Sequence, residues 1–156
     1  MIEIKEIDNR TSEEYLLNLN FLIKENINLP QNAIDFYINQ WSIDRINSQI
    51  KNWLFLCAYS SDGRMCGIVL GTPVEGGVGT IIWVLVNKKF QKQQIGTNLF
   101  NESMIRYRNK GAHKIKLTVP DKDTVDFYLK QRMDLEGYHK NHWWGKDFYS
   151  MGLSIN

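Results

Sequence analysis

Ile2, Ile4 and Ile7 alternate with Glu3, Lys5 and Glu6, a period of two that predicts a half-buried strand at the start of the chain. Thr11-Ser12-Glu13-Glu14 then offers a cap with acids in the first turn, and Tyr15, Leu16, Leu19 and Leu22–Ile23 recur at helical spacing. Pro30 ends that helix. A second helical stretch carries Ile34, Tyr37–Ile38, Trp41, Ile46 and Ile50, with a split expected near Ser42-Ile43-Asp44. Trp53 to Tyr59 and Met65 to Leu70 are strand-like runs, and Ser60 to Arg64 between them is a short glycine-containing loop suited to an antiparallel hairpin.

Gly71 to Gly79 is rich in glycine but precedes a strand instead of opening a helix, so it reads as a hairpin connection and not as a phosphate loop. Thr80 to Val86 is nearly continuous apolar sequence, which suits a central strand buried on both faces. A polar loop, Asn87 to Gln94, leads into a helix from Ile95 to about Lys110, with Gly111 at the usual capping place. His113 to Val119 is a further strand stopped by Pro120, and Asp121 to Met133 a helix. Leu135 to Trp144 and Phe148 to Ile155 read as two closing strands around Gly145-Lys146-Asp147. With no repeat or linker in sight, residues 1–156 are expected to form one mixed α/β domain.

Composition narrows the function classes. Hydrophobic residues make up 43% and charged residues 23% of the 156, a globular balance, and a formal net charge of +2 is too small for a nucleic-acid footprint. The apolar runs are strand-sized and the amino terminus alternates, so the expectation is a soluble cytoplasmic protein with no membrane association. Cys57 and Cys66 lie in apolar segments on either side of a turn; they read as two buried thiols, with a cross-strand pair as the alternative.

The chemistry concentrates in Val84 to Phe100. A strand, a polar loop and a helix in that order make a physical anion site, because turn amides and the free amides of the helix's first turn converge on one point. Gly96, lacking Cβ, lets that turn approach a bulky diphosphate, while Ile95 and Leu99–Phe100 anchor the helix in the core. Lys88, Lys89 and Lys92 add long-range attraction for an anionic ligand. From charge alone, a solvated basic loop before an ordinary helix would explain the same residues.

The order of residues goes further. This stretch resembles the acetyl-coenzyme A signature of the GNAT superfamily, Gln/Arg-x-x-Gly-x-Gly/Ala after a strand ending in valine: Gln91 stands at its first position, Gly96 at its last, and Gln94 where the family has its first glycine. Phe127-Tyr128-Leu129-Lys130-Gln131-Arg132-Met133 is similar to the family's Tyr-x-x-x-Gly-Phe segment, with Tyr128 on the tyrosine and Arg132-Met133 in place of Gly-Phe. The resemblance covers nearly the whole chain. It implies an α/β (α+β) fold, with a mixed, mostly antiparallel sheet that splays at the cofactor site and is flanked by helices.

It also implies roles. Val84, Leu85 and Val86 would hold the pantetheine arm, an amide near Leu85 or Val86 would polarise the thioester carbonyl, and Lys92, Gln93, Gln94, Ile95, Gly96 and Thr97 would take the diphosphate, with Gln91 and Asp121 among the cofactor contacts. Tyr128, which on residues alone reads as core filling, becomes the general acid for the leaving thiolate. Where some members carry a glutamate as base this chain has Thr118, which leaves Glu75, Glu136, His139 or a water relay. The implied activity is acetyl transfer from acetyl-coenzyme A to the primary amine of a protein or small molecule. The alternatives are a non-catalytic acyl-coenzyme A sensor and, more weakly, a flavin or nucleotide binder using the glycines before Thr80. No metal is expected, since His139 and His142 lack ligands at metal spacing. Trp143–Trp144 would suit a homodimer contact or a substrate groove.

Overall fold

A computed structural model describes residues 1–156. The alternation at the amino terminus forms β1 (Glu3–Glu6), and the helical spacings that follow form α1 (Ser12–Asn26), α2 (Gln31–Ile38) and α3 (Ile43–Gln49). The expected split at Ser42 is present because its hydroxyl accepts from the Arg45 amide at 3.1 Å and starts α3 afresh. Then come β2 (Leu54–Tyr59), β3 (Met65–Gly71), β4 (Val78–Val86), α4 (Ile95–Asn109), β5 (Lys114–Val119), α5 (Lys122–Lys130), β6 (Asp134–His139) and β7 (Phe148–Ser154). No helix is long and apolar enough to cross a membrane.

The strands make a seven-stranded sheet in the order β1-β2-β3-β4-β5-β7-β6, antiparallel except where β4 meets β5. Period-two alternation sends β2 and β3 side chains to opposite faces, each with its own core. Phe55, Cys57, Ile68 and Leu70 pack with Tyr15, Leu19, Leu22 and Ile46 under α1 and α3. Leu54, Leu56, Cys66 and Val69 pack with Leu99, Phe100 and Tyr128 under α4 and α5. Cys57 and Cys66 therefore belong to opposite faces; both are free, and burial pushes the Cys57 thiol up to about 11. The buried-thiol reading holds.

Two turns match their residues closely. Gly76 and Gly77 take φ of 60° and 78°, and Glu75 and Val78 exchange both backbone hydrogen bonds at 3.0 Å, so the glycine run is a two-residue hairpin. Gly63, at φ 83°, closes the loop between β2 and β3.

Other expectations need correction. β4 is not buried on both faces: a bulge opposite Leu70/Gly71 leaves Ile82 without a partner and 39% exposed. The strand expected over Leu135–Trp144 stops at His139. Asp147 accepts from the Tyr138 hydroxyl and from the Asn141 amide at 2.8 Å, which folds the following residues into a loop ending in a 3-10 turn at Trp143–Gly145. Asn141 (φ 48°) and Trp144 (φ 60°) are left-handed there, a strain of about 1–3 kcal/mol each for residues with side chains. Trp143 and Trp144 thus do not alternate across a strand.

Tyr15, Tyr107 and Tyr128 are buried, and desolvation raises the pKa of each phenol above its usual value. In the unfolded chain the same phenols titrate near pH ~10, so the unfolded state loses protons first. Stability from these groups is full below that pH and falls as pH rises from there towards the folded-state values. Denaturant midpoints measured between pH 8 and 11.5 should stay level and then decline above pH ~10, and Tyr107→Phe should flatten part of the decline; an unchanged slope would remove Tyr107 from the account.

Candidate functional site

β4 and β5 pair only over Val78–Thr80 and Lys114–Lys116. Beyond these residues β5 continues with β7 as far as Val119, while β4 continues with β3 as far as Val86, so a gap opens between Ile81–Val86 and Leu117–Val119. At about 3.3 Å per residue, the six residues past Thr80 give an open edge of about 20 Å.

Strand parity says which groups face the gap. The Asn87 amide donates to the Cys66 carbonyl at 2.8 Å, and the register pairs Leu85 with Ile68 two residues along, so Leu85 spends its backbone groups on β3. Val84 and Val86, one step out of phase, turn theirs to the gap. This corrects the expectation for Leu85: its amide is committed, its side chain is buried in the α1–α3 core, and Val86 supplies the exposed amide.

At the mouth of the gap the chain passes through a 3-10 turn, Lys88–Phe90, started by the Asn87 side chain accepting from the Lys89 amide at 2.9 Å. Gln91 then turns back, its Nε2 donating to the Val86 carbonyl at 3.3 Å and to Asn26 Oδ1 at 3.2 Å. Its side chain ties the loop to β4 and α1, and its amide donates to the Lys88 carbonyl at 3.4 Å. Lys92 and Gln94 take φ of 65° and 61°. None of the backbone amides from Lys92 to Thr97 donates to an acceptor within the chain. Six donors in a nest-like turn at a helix start form a concentrated positive site for an anion.

Gln94 keeps the left-handed backbone that a glycine would adopt freely, and its side chain is exposed and makes no capping bond. The amide geometry is retained at a cost in strain. Arg132 does the same at φ 70° after α5, where the Met133 amide donates to the Tyr128 carbonyl at 3.1 Å and Met133 fills the core.

α4 is aimed by contacts along the sheet. A Cβ on Gly67 would stand 2.9 Å from Leu99 Cδ1 and 3.3 Å from Ile95 Cγ2, so the first turns of α4 rest directly on β3. Farther along, Tyr107 lies on Gly71 and Gly79 and its hydroxyl reaches the carbonyls of Thr72 (2.8 Å) and Thr80 (3.2 Å). Gly96 differs: a Cβ there would meet Phe127 at 3.5 Å and Val86 at 3.7 Å, ordinary contacts. Packing within the chain does not require glycine at 96.

α5 stands beside this mouth. Phe127 flanks Gly96, and Gln131 Nε2 donates to the Thr97 hydroxyl at 3.3 Å. Tyr128 packs edge-on against Phe100 (5.6 Å) and Phe127 (4.9 Å) in the core shared with Val84 and Val86. Its hydroxyl has no hydrogen-bond partner in the chain. The enclosed side-chain atoms lacking partners are Asn20 Oδ1 and Asn47 Oδ1, so the Tyr128 oxygen keeps contact with solvent. Burial raises its pKa, so the phenol holds its proton throughout the neutral range.

The remaining candidates each have partners within the chain. Asp121 caps α5, accepting from the Thr124 amide at 2.7 Å and its hydroxyl at 2.8 Å. Glu75 sits on the hairpin at the closed end of β4. Glu136 pairs with Lys114 at 2.8 Å, also at the closed end, and His139 bonds Ser150 on β7. A surface cavity of about 570 Å³ lies beside the loop against Met1, Asp62, Phe90 and Gln93, but the unpaired backbone belongs to the parted strands.

A sheet parted along one strand, with unpaired amides at its mouth, has the geometry suited to a long phosphate-bearing ligand. The chain belongs to the acetyltransferase (GNAT) family, whose model matches residues 24–132, and it is an acyltransferase. Solved structures share the whole fold at low identity. An acetyltransferase of the GNAT family from Streptococcus pneumoniae has a TM-score of 0.84 and 19% identity, with 100% of both chains covered. The ribosomal-protein-S18-alanine N-acetyltransferase from Escherichia coli has 0.77 and 16%, covering 100% of this chain and 95% of its own. PaiA N-acetyltransferase from Thermoplasma acidophilum, solved in complex with coenzyme A, has 0.73 and 16% over 99% of each chain. A search of curated proteins gave no match.

The strain at Gln94 is testable. Gln94→Gly should raise unfolding stability by about 0.5–1 kcal/mol in denaturant titration, because the relief at a left-handed position outweighs the entropy glycine adds to the unfolded chain. A loss of stability would mean that the Gln94 side chain makes a contribution its exposure does not suggest.

Proposed function

We propose that this chain transfers the acetyl group of acetyl-coenzyme A to a primary amine by direct attack, with the open edge of β4 as the cofactor's berth. The observation that carries this reading is the run of unpaired amides from Lys92 to Thr97 at the end of an open strand. The cofactor supplies an activated acetyl thioester. The amides of Lys92–Thr97 hold its diphosphate, Gly96 leaves room for it, and the gap-facing groups of Val84 and Val86 bind the arm as an added strand would. The Val86 amide donates to the carbonyl oxygen as negative charge gathers there.

Tyr128 gives its phenolic proton to the departing sulfur. Its raised pKa keeps that proton in place across the working pH range. The attacking amine must first shed a proton of its own. Glu75 and Glu136 stand at the closed end and His139 is engaged with Ser150 on β7, so water in the open cleft is the carrier. Of the features behind the sensor alternative, Gln94 and Arg132 preserve the backbone that the missing glycines would have given, which leaves only Thr118 in place of a base.

Calorimetry with acetyl-coenzyme A, and thiol release on incubation with a panel of amines, test the reading together. Binding without thiol release from any amine would favour a sensor. Gly96→Gln should weaken acetyl-coenzyme A binding at least about tenfold, whereas Gly96→Ala, which the family signature admits, should leave it within about threefold; unchanged affinity in Gly96→Gln would move the diphosphate elsewhere. Tyr128→Phe should leave binding intact and lower kcat by about a hundredfold. An unaltered rate would take Tyr128 out of the mechanism.

A further inference from the structure

On the face of β4 turned away from α4, four aromatic rings meet for which neither the cofactor grip nor the proton transfer has a use. The bulge at Ile82 shifts the parity of the strand, so Ile81 enters the α4 core while Trp83 points to the α2 side. There Trp83 meets Tyr37 edge-on at 5.2 Å. Trp144, from the loop between β6 and β7, lies 6.0 Å from Tyr37 and 5.4 Å from Phe36. Its indole N–H donates to the Tyr37 hydroxyl at 3.1 Å.

Docking of a loop onto a helix would explain the contacts by themselves. Three further facts point to a ligand. Trp144 sits in the left-handed region, unusual for so bulky a residue, and the Tyr138–Asp147–Asn141 clasp holds the loop that presents it. The rings are not sealed: Phe36 is 50% exposed, and Tyr37, Trp83 and Trp144 are half-buried. Finally, the Tyr37 oxygen accepts from Trp144, so the phenol's own proton must be donated elsewhere, and no acceptor in the chain takes it. Trp83 is the immediate neighbour of Val84, whose backbone faces the gap, so the cluster flanks the place where an amine would reach the thioester. The nearest carboxylates in sequence are engaged: Asp35 accepts from Gln31 at 2.8 Å, and Asp147 holds the clasp.

We propose that Phe36, Tyr37, Trp83 and Trp144 form the acceptor-side specificity wall. They select a primary amine carried on an aromatic or branched apolar body, with a carbonyl oxygen close to the amine to accept the Tyr37 proton. This rests on the transferase reading above. Apolar amino-acid amides and peptide amino termini that begin with an apolar residue share this chemistry, and polycationic amines lack it.

Thiol release with acetyl-coenzyme A should be compared for phenylalaninamide, phenethylamine, putrescine, Nα-acetyl-lysinamide, and octapeptides beginning with Phe or with Asp. Phenylalaninamide or the Phe-peptide should exceed putrescine and the lysine derivative in kcat/KM by about tenfold or more, and whichever of the two is faster identifies the source of the acceptor. Tyr37→Phe should raise KM for phenylalaninamide about fivefold, through loss of one hydrogen bond, and leave phenethylamine, which has no carbonyl, within about twofold. Acetyl-coenzyme A affinity should not change. Preference for putrescine or the lysine derivative, or an equal effect of Tyr37→Phe on every acceptor, would overturn the wall alone. Acetyl-coenzyme A binding with no thiol release from any acceptor would instead bring down the transferase reading, and the wall with it.

Discussion

Everything at the site depends on β4 and β5 ceasing to pair after Thr80 and Lys116. Backbone N–H and C=O groups that leave a ladder must find water or a ligand, and here they do so along one side of a strand whose other side stays laddered to β3 on either side of the bulge at Ile82. A rigid edge results, with its donors pointing outward. The parting occurs beside Tyr107, whose ring covers Gly71 and Gly79 and whose hydroxyl serves the Thr72 and Thr80 carbonyls. A buried side chain thus braces the last paired residues at the point of divergence.

The order of elements was legible because its signals are local. Alternation marked β1, helical spacing marked α1, and Gly111, at φ 89°, marked the end of α4. The gap itself has no local signal. Thr80–Val86 has the composition of a central strand, and what makes it half-open is the direction taken by β5, a tertiary matter. The bulge at Ile82 was hidden for the same reason, and with it the face on which Trp83 appears.

Residue type pointed to the amide cluster and to Tyr128, since both follow a family pattern in the chain. It could not divide labour between Leu85 and Val86, which look alike until register fixes their phase. Nor did it show Gln91 bonded to Val86 and Asn26, a tie between segments far apart in sequence. The aromatic wall escaped because its members come from α2, β4 and the loop after β6. Trp143–Trp144 drew notice as a pair, but a strand assignment hid that Trp144 alone turns inward.

Gly67 and Gln94 separate two kinds of demand for glycine. At 94 the demand is a torsion angle, which a residue with a side chain can meet under strain, so the position tolerates drift. At 67 the demand is space: Leu99, Ile95 and the Leu85 carbonyl already occupy the room a methyl group would need. Substitution there would push the Leu99 side chain aside and press on the Leu85 carbonyl, at the seat of α4 on β3. The demand for space thus falls a layer beneath the loop, where the helix is seated on the sheet.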